Sequence, residues 1–193
     1  MKNRKPCTPN FNTPAEKFAK EELNKIAAGS IAGNVKADFA DTSRQDIAWE
    51  TEALAKSHGI YLEFNRDKES TEEKEWIYML RISIPGGGPL TREQYNVVDA
   101  ISDQYTKDPD DIPSIRLTNR QNIQFHWIKK ADVPIVVKTL AESGLNTLNG
   151  CGDNTRNVMG CPIDHFSDVI NTNALAQKCG AYFQLPIEPF ISV

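Results

Sequence analysis

Side chains able to bind or polarise an anion recur at a regular parity in this sequence: Arg81, then Arg116, Thr118, Arg120, Gln124 and His126, and later Arg156. Successive residues of a strand point to opposite faces. If residues 76–84 form a strand, Tyr78, Leu80, Ile82 and Ile84 share one face, with Met79, Arg81 and Ser83 on the other. In a second strand Ile115 and Leu117 oppose Arg116 and Thr118, and Arg120 continues the polar parity into a turn. In a third, Ile123, Phe125 and Trp127 oppose Asn122, Gln124 and His126. The ordinary reading of a polar strand face is the solvated side of an antiparallel sheet. Such faces mix charge signs, whereas this one collects three arginines and no acid within the assigned strands. Arginine presents a rigid fork that matches carboxylates and small oxyanions, so the clustering predicts a polyanionic ligand. His126 taken alone reads as a hydrogen-bonded structural residue, and iron ligation is the lesser alternative.

Other punctuation is less specific. Pro85-Gly86-Gly87-Gly88 lacks the Walker lysine and the G-x-G-x-x-G spacing, so it reads as a permissive turn or a close backbone approach. The Gly/Asx-rich run 150–158 is a second turn, in which Asp153 or Asn154 could cap a short helix and Arg156 projects as a surface charge or a further anion contact. Cys7, Cys151, Cys161 and Cys179 contain no C-x-x-C pair and are too scattered for a zinc ribbon, so they read as reduced thiols, with no metal site.

The elements that must position these groups follow from local pattern. Residues 76–84 are β-branched and aromatic, as a strand requires. A helix follows in which Thr91 and Gln94 form a capping box, Leu90 and Tyr95 suit a hydrophobic staple, and Val98, Ile101 and Tyr105 form the apolar stripe. Residues 114–118 and 122–127 are strands too close together for anything but a hairpin-like reversal. A second helix runs from an Asp132 cap to about Ser143, with Val136, Val137 and Leu140 inward and Gly144 suited to the C′ position. Residues 146–148 could begin a closing strand. This order is the split-βαβ arrangement, so the expected class is α+β: a ferredoxin-like half-domain with an antiparallel sheet, helices on one face, and the other face open to a ligand. Residues 13–59 read as helical through Phe18, Leu23, Ile26, Ile47 and Leu54, and 65–74 as a charged loop. The expected organisation is a helical N-terminal extension and loop over 1–75, the half-domain over 76–165, and a linker over 166–193. That linker holds a helix over 174–183 and the Pro-containing stretch 185–190.

An apolar share of 39% and a charged share of 25% are ordinary for a globular domain, which sets aside disorder and fibrous classes. The net charge of −4 argues against nucleic acid as a partner, since phosphate binding needs a dense basic surface. Residues 1–13 hold no apolar run suited to a signal peptide or a membrane span, so a cytoplasmic protein with no membrane partner is expected.

The stretches 79–87, 115–126 and 154–158, in that order, resemble the amino-terminal motifs of assimilatory siroheme nitrite and sulfite reductases. The resemblance implies a two-half enzyme carrying siroheme and a [4Fe-4S] cluster, which reduces nitrite to ammonia by six electrons or, alternatively, sulfite to sulfide. It implies that Arg116, Thr118, Arg120, Gln124 and His126 contact siroheme, and that Arg81 and Arg156 face the iron-bound oxyanion. It implies further partners: an electron donor such as ferredoxin, and a C-terminal half. The family's cluster ligands, in C-x5-C and C-x3-C spacing, and its catalytic lysines have no counterpart here, so the expectation is an amino-terminal fragment inactive by itself. Two other readings use the same residues. One is a non-catalytic tetrapyrrole-binding or subunit-interaction module; the other is a generic ferredoxin-like regulatory domain with no tetrapyrrole affinity.

Overall fold

The computed structural model describes residues 14–29, 32–68, 74–148, 150 and 156–183. Cys7, Cys151, the capping candidates Asp153 and Asn154, Thr155 and the stretch 185–190 lie outside the described residues.

Three short helices come first: α1 (Lys20–Ala28), α2 (Val35–Ala40) and α3 (Trp49–Ala55). The rest of the described chain carries β1 (Ile60–Phe64), β2 (Trp76–Ile82), α4 (Arg92–Tyr105), β3 (Ile115–Leu117), β4 (Ile123–Ile128), α5 (Val133–Glu142) and α6 (Thr172–Phe183). The strands form one antiparallel sheet in the order β1-β2-β4-β3. From β2 to α5 the chain traces the split-βαβ path. The position a closing strand would take beside β2 is shared by two segments: β1 pairs along residues 76–80, and Asn146 bridges to Ser83 just beyond. The sheet therefore reaches back into the segment that precedes Trp76.

One face of the sheet is the core. Tyr78, Leu80, Ile82, Phe125 and Ile128 are fully buried under Val98 and Ile101 of α4 and Val136, Val137 and Leu140 of α5. The N-terminal helices extend the same layer: Val35, Phe39 and Leu54 join this cluster, and the Phe39 ring lies 5.3 Å from that of Tyr78. α4 starts with the capping box that its sequence predicts. Thr91 Oγ1 accepts from the Gln94 amide at 3.2 Å, and Gln94 Oε1 accepts from the Thr91 amide at 3.0 Å. The expected staple is less complete, because Tyr95 is 58% exposed.

Two departures from simple alternation matter. Tyr78 pairs with Ile128 but Leu80 with Phe125, so β4 has one extra residue across from β2. Such a bulge twists the strand and re-aims the side chains beyond it. Trp127 sits there with φ +64°, and Ile128, not Trp127, takes the next core position. The second departure is in β3. As the edge strand it extends past the helices, and Ile115 and Leu117, expected in the core, are 41% and 77% exposed.

The Pro85–Gly88 segment is a tight turn docked on α6. Gly86 has φ +73° and donates its amide to the Val158 carbonyl at 2.8 Å; a Cβ there would stand 2.9 Å from the Asn173 carbonyl. This is the close backbone approach that the glycine run suggests. It fixes the path of 156–160 beside the end of β2.

Candidate functional site

The face opposite the core carries a polar cleft of about 620 Å³, into which Arg81, Arg120 and Arg156 converge with Tyr61, Thr118 and Gln124. Among the described residues no Asp or Glu lines it. Arg81, Gln124 and Arg116 form a row across β2, β4 and β3, because Arg81 pairs with Gln124 and Gln124 with Arg116. Strand parity thus brings to one face the residues it predicts. The structure then divides them: Arg81, Thr118, Arg120, Gln124 and Arg156 line the cleft, whereas Arg116 and His126 stand on the same face outside it.

Arg81 is held on several sides. With the Gln124 amide oxygen turned toward the guanidinium, it accepts from Nε at 2.9 Å and from Nη2 at 2.5 Å. Nη1 donates to the Gly150 carbonyl at 2.7 Å and to the Tyr61 hydroxyl at 3.3 Å. Gly150 is required for that approach: a Cβ on it would lie 2.7 Å from the Arg81 carbonyl oxygen. By contrast, the guanidinium groups of Arg120 and Arg156 make no hydrogen bond or ion pair among the described residues.

The turn 118–122 presents Arg120. Thr118 Oγ1 accepts from the amides of Arg120 (3.2 Å) and Asn122 (3.1 Å), while the Thr118 amide donates to the Asn122 carbonyl at 2.9 Å. Its oxygen lone pairs are occupied by the turn, so the Thr118 hydroxyl hydrogen is the part left for a ligand. Asn157, 5% exposed, locks this turn to β2. Its Nδ2 donates to the carbonyls of Ile84 and Arg120, both at 2.9 Å. Asn122 Oδ1 accepts from the Ile84 amide at 3.0 Å, and Gln121, with φ +58°, donates Nε2 to the Gly160 carbonyl at 3.1 Å. Sequence reading passed over Asn157 and Gln121 as supports. Buried amides flanking an arginine turn are the signal that could have found them.

His126 corrects one expectation. The three strands expected from sequence carry no acid on this face, but β1, a strand that expectation did not include, brings Glu63 onto it, and Glu63 Oε2 lies 3.3 Å from His126 Nδ1. Burial follows from the sheet, since His126 is 9% exposed, and its Nε2 has no hydrogen-bond partner among the described residues. The hydrogen bond with His126 holds the Glu63 carboxyl below the usual carboxylate range, with the charges of His126, Arg66 and Arg116 acting in the same direction. Arg116 is therefore partly balanced by an acid, whereas the cleft arginines meet no acid among the described residues.

Three guanidinium groups and an available hydroxyl, with no lining carboxylate among the described residues, suit a ligand with several carboxylates or a small oxyanion. A cleft of this volume lies within the range of sites that enclose a small molecule. The donor set therefore fits the edge of a polycarboxylate tetrapyrrole. Fold and site together define an α+β half-domain of ferredoxin-like topology with one open, arginine-rich face.

Residues 71–143 match the family described as the nitrite/sulfite reductase ferredoxin-like half domain. The chain is 35% identical over 156 residues to the sulfite reductase (NADPH) hemoprotein beta-component of Staphylococcus saprophyticus, with 77% of this chain aligned to 26% of that protein. It is 31% identical over 178 residues to the protein of the same name from Staphylococcus haemolyticus, covering 85% of this chain and 30% of that one. In fold it is similar to Mycobacterium tuberculosis NirA, with a TM-score of 0.61 at 24% identity over 74% of this chain and 27% of the NirA chain. Residues 71–143 therefore form a half domain of the nitrite/sulfite reductase family. The chain spans about a quarter to three tenths of the length of these two staphylococcal relatives.

Proposed function

We propose that this chain supplies the arginine-rich wall of a siroheme-dependent reductase acting on a small oxyanion, nitrite or sulfite. The observation that carries this reading is the cleft in which, among the described residues, Arg120 and Arg156 are unpaired, Arg81 is clamped and no acid lines the wall. Siroheme, when bound, supplies the iron that holds the oxyanion and delivers its electrons. Arg120, Arg156 and the Thr118 hydroxyl would bind the macrocycle's carboxylates, with Gln124 beside them. Arg81 and Arg156 would donate hydrogen bonds to the oxyanion, stabilising negative charge as its bonds to oxygen break. Arg116 and His126 would support the outer part of the same surface.

The reading further assigns the [4Fe-4S] cluster, its ligands and the six-electron turnover to a C-terminal half, so this chain alone is inactive. We take the donor to be ferredoxin or, following the relatives' names, NADPH. Those names favour sulfite over nitrite. No described helix is long and apolar enough to cross a membrane, which is compatible with a cytoplasmic enzyme.

A siroheme titration followed by absorbance tests the reading, with Arg120→Ala/Arg156→Ala compared with the parent chain. The expected result is saturable binding in the parent and at least a tenfold loss in the variant, about 1.4 kcal/mol or more. Equal affinity in the two would overturn the assignment of these arginines.

A further inference from the structure

The three cleft arginines differ in how the protein treats them, and the difference leads to Tyr61. A guanidinium has five N–H groups. In Arg81, Nε and one hydrogen of Nη2 meet Gln124 Oε1, while the two hydrogens of Nη1 go to the Gly150 carbonyl and the Tyr61 hydroxyl. Among the described residues this leaves a single Nη2 N–H for a ligand. The guanidinium carbon also lies 5.1 Å from the centroid of the Tyr61 ring, within the range of a cation–π contact.

We infer that Tyr61 is a positioning residue for Arg81, fixing the guanidinium so that its one uncommitted N–H faces the oxyanion cleft. Gln124 and Gly150 satisfy donors along the edges of the guanidinium but do not prevent its plane from tilting. The Tyr61 ring stops that tilt, and the Tyr61 hydroxyl secures the Nη1 corner. Tyr61 can do this because β1 pairs in register with β2: Tyr61 stands opposite Met79, one residue along from the Leu80–Ile60 pair, and shares the face of Arg81. A long side chain ordered before the ligand arrives has little rotamer freedom left to lose on binding, and its dipole is already aimed where charge collects. The inference rests on the reading of this cleft as an oxyanion site, but the ordering of Arg81 can be measured without any ligand.

The test uses ¹⁵N-resolved NMR of arginine Nε–H groups in the whole chain, with the Arg81 signal assigned by its loss in Arg81→Gln. Tyr61→Phe keeps the ring and removes the hydroxyl; Tyr61→Leu removes both. In the parent, the Arg81 Nε–H is expected to be ordered and slow to exchange. In Tyr61→Leu it becomes mobile on the sub-nanosecond scale, while the backbone amide spectrum keeps the parent pattern. Sulfite affinity then falls about two- to thirtyfold, the span set by losing a contact of this kind. An Arg81 that stays ordered in folded Tyr61→Leu overturns the inference. Should Tyr61→Leu fail to fold, Tyr61→Phe decides: solvent exchange of the Arg81 Nε–H about threefold faster than in the parent supports the role, and unchanged exchange overturns it. If the variant frees Arg81 but the parent binds neither siroheme nor sulfite, the positioning role stands and the proposed function fails.

Discussion

Asn157→Ala removes the buried amide that ties the arginine turn to β2, and the cost can be worked from its contacts. Nδ2 donates to two carbonyl oxygens, those of Ile84 and Arg120, each at 2.9 Å, while the 3.5 Å contact between Oδ1 and Ser83 Oγ contributes little. Truncation leaves the Arg120 carbonyl without a donor among the described residues, whereas the Ile84 carbonyl still accepts from the Gly87 amide at 2.9 Å, in a site that is 5% exposed at Asn157 and 8% at both Ser83 and Ile84. A buried group left unsatisfied costs roughly 1–3 kcal/mol. Water entering the vacated space from the adjoining cleft would return part of that, while the Ile84 carbonyl loses only one of its two hydrogen bonds, so the expected loss is about 1–3 kcal/mol. For a chain of this size each kcal/mol lowers Tm by about 2–4 °C, which gives a fall of roughly 2–12 °C. Asn157→Asp should be at least as harmful, because it sets a carboxylate oxygen against carbonyl oxygens. The assay is urea denaturation with circular dichroism, with Lys138→Ala on the exposed face of α5 as the control. An Asn157→Ala loss below about 0.5 kcal/mol, the scale of an ordinary surface substitution, would refute the claim that this amide holds the turn.

Glu75 gives a pH prediction. Hydrogen bonds from Lys129, Asn65 and Lys68 pull its carboxyl from an ordinary 4.5 down to about 2. The folded value is the depressed one, so the stabilisation is fully present above pH 4.5 and is lost as pH falls from there toward 2. The group is partly exposed, which limits the effect to about 1 kcal/mol; Glu75→Gln should flatten the stability curve in that window, and an unchanged slope between pH 4.5 and 2 would contradict it. The edge and centre of the sheet should also respond differently to truncation: Phe125→Ala is expected to cost about 3–5 kcal/mol, and Leu117→Ala less than about 0.5 kcal/mol. Comparable losses in denaturant melts would mean that β3 is covered after all.

What the sequence by itself determined is what short-range chemistry controls. The Thr91–Gln94 capping box and the valine–leucine face of α5 each specify a helix within a few residues. The β-branched run of β2 and the tight 118–122 turn specify a strand and a reversal in the same way. Alternation then placed Arg81, Arg116 and Gln124 on one face, because the pleat leaves a side chain no third direction. Tertiary structure decided what depends on partners distant in sequence. Ile60–Phe64 gives no local sign of which strand it will join, yet its pairing with β2 brings Tyr61 to Arg81 and Glu63 to His126. One extra residue at Trp127 exchanges it for Ile128 in the core, a register choice that only the pairing with Tyr78 and Leu80 can make. Ile115 and Leu117 have a core pattern but lie on an edge strand, and edge position belongs to the sheet, not to the strand. The division of the arginines obeys the same logic: which are clamped, which are balanced by an acid and which remain unpaired depends on Gly150, Glu63 and Asn157, whose approach is set by the folding of the whole domain.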